Sequence, residues 1–69
     1  MYTKISESTI VHYVGSYGIV KTIEQMFSDN GKKIGNKIVW YDVCLENGDG
    51  DIVFSCQTLK DARKWAKEN

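Results

Sequence analysis

The chain has little of what most catalytic and metal chemistries require, and it contains no proline at all. Its single histidine, His12, has no neighbouring residue that would make it a general base or a metal ligand. Two cysteines, Cys44 and Cys56, are too few and wrongly spaced for a zinc cluster or a disulfide framework. No activated serine and no catalytic pair of carboxylates can be identified. We therefore expect a non-enzymatic protein that uses no cofactor and no metal.

Long apolar runs are also missing. The longest contain four residues, as in Ile38–Tyr41, which is too short for a helix that spans a membrane. Residues 1–7 lack the apolar stretch of a secretion signal. We therefore expect a complete, cytoplasmic chain that does not contact membranes. Nine basic residues balance nine acidic ones, so no net field draws the molecule to nucleic acid or to an anionic surface.

Length and composition indicate one folded domain, residues 1–69. The chain is 42% hydrophobic and 26% charged, which is typical of a globular domain and argues against disorder. A core of this size leaves a net stability of about 3–5 kcal/mol. Binding of a partner could therefore add noticeably to the stability of the working protein.

The second half of the chain predicts a β-hairpin, residues 38–57. Apolar residues alternate with other residues along both strands, so that one face of the hairpin is apolar. This stripe consists of Val39, Tyr41, Val43, Leu45, Ile52, Phe54 and Cys56. A two-residue turn at 47–48 would pair Val43 with Ile52, and one at 48–49 would pair it with Phe54. Both turns keep the stripe on one face, because a shift of two residues preserves side-chain facing.

The two cysteines fall on opposite faces of this hairpin. Cys56 belongs to the apolar stripe, whereas Cys44 lies on the other face with Ile38, Trp40 and Asp42. A disulfide cannot join opposite faces of one sheet without disrupting a strand. We therefore expect two free thiols, with Cys56 a small core residue and Cys44 the more accessible of the two.

Residues 58–68 predict an amphipathic helix that closes the sheet. Thr58 is a suitable N-cap, and Asp61, three residues later, resembles the second residue of a capping box. Apolar residues then recur at spacings of three and four. They are Leu59, Ala62, Trp65 and Ala66.

The first half of the chain leaves alternatives open. Thr9–Val14 is β-branched and aromatic, which favours a short strand. Residues 19–28 are a strand or a short helix: their apolar spacing is helical, and a strand would place Lys21 and Gln25 on the apolar face. Their β-branched composition favours a strand, and a third strand is about the minimum for an independent sheet.

The expected fold class is therefore α+β. It comprises a small antiparallel sheet of three to four strands, a meander with the central hairpin 38–57, packed on one face by the helix 58–68.

The face opposite the apolar stripe carries an unexpected tryptophan. A sheet covered on one side should present polar residues on the other, yet apolar residues gather there. This candidate partner-binding site consists of Ile38, Trp40, Cys44 and, from the neighbouring strand, Val53. Either the N-terminal segment packs over this face, or a partner does, since exposed aromatic residues often dominate binding energy. The partner would be another protein or a second copy in a homodimer.

Seven of the nine basic residues form two groups, while acidic residues gather in the hairpin. One group lies in a loop and the other on the helix. They are Lys32, Lys33 and Lys37, and Lys60, Arg63, Lys64 and Lys67. Such groups could contact the phosphates of nucleic acid, although a solvated helix face is the simpler interpretation of the second group.

The segment Thr58–Trp65, with the sequence TLKDARKW, resembles the end of the arm-type DNA-binding domain found at the N-terminus of phage integrases. In that family three strands precede a helix and dock in the major groove. The resemblance implies a nucleic-acid-binding domain, although the strands here carry Asp42, Glu46 and Asp51 where that family would need basic residues.

The general character of the chain is similar to that of small accessory proteins of phages and mobile elements. Many of these, such as anti-CRISPR proteins, bind and block a host protein. We therefore expect a small protein-binding module that modulates a partner, with nucleic-acid binding through the basic helix face as the alternative.

Overall fold

A computed structural model describes residues 2–69 and contains an open antiparallel sheet with one helix. The strands follow one another in the sheet in chain order, as a meander, and the helix comes last. This confirms the small α+β fold expected from the sequence. The elements are β1 (Thr3–Val14), β2 (Tyr17–Phe27), β3 (Lys33–Cys44), a 3₁₀ turn (Glu46–Gly48), β4 (Ile52–Cys56) and α1 (Leu59–Glu68).

The ambiguous segment 19–28 lies mostly in β2, which pairs with β1 on one side and β3 on the other. Ile19 lies opposite Val43 and is fully buried. Gln25 is accommodated at an irregularity in the β2–β3 pairing, where its Nε2 donates to the carbonyl oxygens of Ile34 at 3.2 Å and Gly35 at 3.4 Å. The ladder bonds available on both sides of β2 thus outweigh the helical spacing of its apolar residues.

The helix packs on one face of the sheet, which we call the helix face. Ala62 and Ala66 of α1 are buried against Ile19 and Val43, and their small side chains let the helix lie close to the strands. Trp65 extends this contact, because it stacks on Phe54 with ring centroids 5.0 Å apart. Tyr17 meets the same indole edge-on at 5.7 Å.

The cap of the helix is the one that the sequence indicates. Thr58 adopts extended backbone angles, and its Oγ1 accepts a hydrogen bond from the backbone N–H of Asp61 at 3.2 Å. This bond satisfies one of the N–H groups that a helix start leaves without an intrahelical partner.

The connection between β3 and β4 is longer than either predicted turn, and it contains the 3₁₀ turn. Val43 pairs with Phe54, but a bulge then places Ile52 opposite Cys44. Ile52 therefore leaves the apolar stripe to which the sequence assigned it and is 59% exposed. The prediction for Ile52 was wrong, because a bulge inserts one residue and changes the side-chain alternation beyond it.

This connection folds over the face of the sheet opposite the helix, which we call the back face. The backbone N–H of Asn47 donates to the carbonyl oxygen of Ser16 at 2.8 Å. Gly18 lies directly beneath Asn47 and Gly48, with no space for a side chain. The sheet is thus covered on both faces where it carries α1.

The strands extend well beyond this covered region. The molecule measures 44 × 20 × 15 Å, and its radius of gyration of 14.1 Å exceeds the value of about 11 Å expected for a compact chain of this length. The uncovered part comprises residues 3–8 of β1, 22–27 of β2 and 33–40 of β3, and we call it the open end. Its β3 portion also lies beyond the part of β3 that pairs with β4.

Gly18→Ala should destabilise the protein by about 3 kcal/mol or more, most of its expected stability. A Cβ at this position would overlap the backbone of Asn47 and Gly48, which cannot rotate away as a side chain could. Gly15→Ala is the matched control, since its Cβ would meet nothing within 4 Å and only its φ of +58° opposes the change; it should cost about 1–2 kcal/mol. Urea denaturation followed by circular dichroism measures both, and equal losses would contradict the assigned packing.

Candidate protein-binding surface

Ile38 and Trp40 lie two residues apart on β3 and share the back face of the open end. Ile38 pairs with Glu24 of β2 and is 61% exposed. Trp40 pairs with Thr22 and is half-buried. The structure therefore brings together two of the four residues predicted to bind a partner.

A buried carboxylate holds the indole of Trp40 in place. Asp42 is only 8% exposed, and its Oδ2 accepts a hydrogen bond from Trp40 Nε1 at 3.1 Å. Its Oδ1 accepts one from the hydroxyl of Ser55 at 2.6 Å. Both carboxylate oxygens of Asp42 therefore have donors, as burial of a charge requires. Sequence reasoning missed this role, although the spacing of Trp40 and Asp42 by two along one strand was a usable signal.

Cys44 contributes little to this surface. It is 5% exposed, while Cys56 is half-buried beside the core, and both thiols are free. The prediction that Cys44 is the more accessible thiol was therefore wrong. The long β3–β4 connection, which the sequence did not indicate, covers this part of the back face. Burial, together with the nearby negative charge of Asp42, raises the pKa of the Cys44 thiol, which keeps it protonated and weakly nucleophilic.

The fourth predicted residue, Val53, lies apart from Ile38. It sits at the bulge of β4, beside Val43 and Cys44, and is 40% exposed. The N-terminal segment does not pack over this face either, because residues 3–14 form β1 within the sheet. Within residues 2–69 the proposed internal cover for Trp40 is thus absent, and only the 46–50 connection reaches over the back face.

Polar pairs flank Ile38 and Trp40 on the neighbouring strands. The hydroxyl groups of Ser8 and Thr22 are hydrogen-bonded to each other at 2.9 Å. The ammonium group of Lys4 forms an ion pair with Glu24 at 3.2 Å. An apolar centre beside polar groups that already have partners is the arrangement seen in protein–protein interfaces.

The open end also exposes apolar residues on the helix face. There Ile5, Ile23 and Phe27 line a shallow groove of about 190 Å³, and Ile5 is 47% exposed. On the back face Met26 and Ile34 pair with each other and are each more than a third exposed. Apolar side chains are thus uncovered on both faces of one sheet segment, which makes this segment a candidate interaction site.

The two basic groups do not merge into one surface. Lys60, Arg63, Lys64 and Lys67 line a shallow depression on the exposed side of α1, together with Glu68. Lys32 lies in the β2–β3 connection, and Lys33 and Lys37 line the groove of the open end. Because α1 lies over the Ile19–Val43 region, six or more residues along β2 separate the groups, about 20 Å.

The single histidine and the other acidic and thiol side chains are also possible metal ligands. His12 is half-buried opposite Ile19 at the edge of the sheet. Across residues 2–69, no three His, Cys, Asp or Glu side chains lie close enough together to hold a metal ion. Over the same residues, α1 is the one α-helix, and no helix has the length and apolar character needed to cross a membrane.

Comparisons with known protein families, curated proteins and solved structures gave no significant match.

Asp42→Ala should cost about 2–4 kcal/mol, because it removes two hydrogen bonds to a charged group and leaves the Trp40 N–H without an acceptor. Asp42→Asn is the matched control. Its amide oxygen can accept from Trp40 while its NH₂ donates to Ser55, so it should cost less than half as much. Thermal unfolding with tryptophan fluorescence measures both. Equal destabilisation by the two variants would show that the charge, not the hydrogen bonding, is essential.

Proposed function

We propose that this protein is a small, non-enzymatic protein-binding module that modulates its partner by covering part of the partner's surface. Its contact surface is the back face of the open end, centred on Ile38 and Trp40. The observation that carries the proposal is an exposed isoleucine beside a half-buried tryptophan, on a sheet segment that no other part of the described chain covers.

The hydrogen bonding beneath Trp40 supports this proposal. A tryptophan that is already held in its bound conformation loses less conformational entropy on binding than a mobile one. Such preorganised aromatic residues often dominate binding energy. Asp42 and Ser55 supply this preorganisation from inside the protein. Ile38, with 61% of its surface exposed, then provides apolar area for the partner to bury.

Ile38→Asp should weaken partner binding at least tenfold, about 1.4 kcal/mol, because it places a charge at the centre of the apolar contact. The protein is immobilised and the retained proteins are compared by quantitative mass spectrometry. Each candidate is then purified, and its affinity for wild type and variants is measured by isothermal titration calorimetry.

Ile52→Asp is the matched control for this experiment. Ile52 is a strand isoleucine with nearly the same exposure, 59% against 61% for Ile38, but it lies beside Cys44 and away from the open end. It should leave the affinity unchanged. Thermal unfolding of both variants shows that they fold, and sedimentation velocity shows whether the partner is a second copy. Equal affinity of wild type and Ile38→Asp would refute the proposal.

Nucleic-acid binding is the second candidate function, favoured by the basic side of α1. Four cationic side chains recur there at positions i, i+3, i+4 and i+7 and border one depression. Such spacing places them on one side of a helix, where they could follow a phosphate backbone. Glu68 at the same depression reduces the local positive potential.

A gel-shift titration across salt concentrations tests this second candidate. If all four cations contact phosphates of duplex DNA, log K should fall with log salt with a slope of about −3 to −4. Replacing Lys60, Arg63, Lys64 and Lys67 by Gln should abolish binding, whereas Lys32→Gln, in the β2–β3 connection, should not. Absence of binding at low salt would eliminate this function.

A further inference from the structure

We infer that the groove on the helix face of the open end is a second docking site, and that it takes one amphipathic α-helix with acidic side chains along one flank. The site is separate from the proposed contact at Ile38, which lies on the opposite face of the sheet. The floor of the groove carries three apolar side chains, Ile5, Ile23 and Phe27, with the polar Gln25 between the last two.

The groove continues the surface on which α1 lies. Ile23 is four residues from Ile19 on β2, and side chains two or four apart on a strand share a face. The ten residues of α1 span about 15 Å, and α1 contacts all four strands, so it crosses the sheet. The eleven residues of β2 span about 37 Å along the strand direction. The helix of this chain therefore covers less than half of the face, and apolar residues continue beyond it.

The dimensions of the open end match a single helix. Its three strands place the outer two about 10 Å apart, which is close to the diameter of a helix with its side chains. The uncovered length of about 20 Å corresponds to a helix of about 13 residues. One helix would thus extend the layer that α1 begins.

The charged residues around the groove indicate which charge the flank of the bound helix should carry. Lys33 and Lys37 line the groove from β3, while Glu7 lines it from β1. All three are exposed, so the β3 side is positive and carries the larger charge. A helix with Asp or Glu along the flank that faces β3 complements it.

A second copy of this chain fits the groove less well. Its own α1 stands on the same face, so two copies can stack their grooves in an aligned packing only with the helices at opposite ends. That arrangement places β3 over β3 and brings Lys33 and Lys37 towards the same lysines of the other copy. Such like-charge contacts oppose association. The exposed side of α1 is itself basic, which excludes it as the complementary helix.

Three peptides of about 14 residues, acetylated and amidated at their ends, test the inference. The first has leucines along one side and glutamates along the other. The second has lysine in place of each glutamate, and the third is the first with two central prolines. Binding is followed by two-dimensional NMR of the ¹⁵N-labelled protein, which reports both the affinity and the residues affected.

We expect the acidic peptide to bind and to shift the amide signals of Ile5, Ile23 and Phe27. The lysine and proline peptides should bind at least about fivefold more weakly, since they lose the ion pairs and the helix respectively. Lys33→Glu/Lys37→Glu should reverse the charge preference. Lys60→Glu/Lys64→Glu, the matched control on α1, should leave it unchanged, and so should Ile38→Asp.

Four results of the peptide experiment would overturn the inference. They are no binding of the acidic peptide at about 1 mM, equal binding of the acidic and lysine peptides, equal binding of the proline peptide, and amide shifts confined to α1 or the back face. A dimer in sedimentation velocity that the acidic peptide cannot dissociate would also overturn it, because a second copy would then occupy the groove. Equal partner affinity of wild type and Ile38→Asp would refute the proposed function alone and leave this inference standing.

Discussion

The mismatch in length between one short helix and three long strands governs this structure. Ala62 and Ala66 bury Ile19 and Val43 over one part of the sheet, and that contact holds the only helix of the described chain against it. The strands continue beyond this core for about as long again. In that segment the hydrogen bonds between the strands hold the sheet together, and many of its side chains are in contact with solvent. The proposed protein contact at Ile38 and Trp40 and the proposed helix-binding groove both lie on this unsupported segment.

The two faces of the sheet are covered by different elements, and this decides which part of the sheet can bind a partner. The helix covers one face, and the β3–β4 connection covers the other face at the same end, where Gly18 admits it to backbone contact. Both covers therefore act on the same part of the sheet. The apolar residues at the other end remain available on both faces, and a bound partner would stabilise the folded chain by mass action. In a domain with a stability of only about 3–5 kcal/mol, such a contribution is large.

Much of the fold could be predicted from local patterns. The helix with its Thr58 cap and the opposite facing of the two cysteines follow from capping chemistry and side-chain periodicity. Periodicity allows Val43 to pair with Ile52 or with Phe54, and the tertiary structure selects Phe54. The site was only partly predictable. Ile38 and Trp40 were found because apolar residues on a second sheet face break the usual alternation. The burial of Cys44 and the exposure of Ile52 were not predictable, since both depend on a bulge and a connection whose shape is set by distant residues such as Gly18 and Ser16.

The sequence by itself determined the helix that follows Thr58, the strands of the hairpin and the face that Val39, Tyr41 and Val43 share, because these depend on residues close together in the chain. Only the tertiary structure decided that segment 19–28 is a strand, since its ladder partners lie in β1 and β3. It also decided that the two basic groups lie far apart and that the groove of the open end is uncovered. These properties depend on how far α1 reaches along the sheet, and that distance follows from where Ala62 and Ala66 meet Ile19 and Val43.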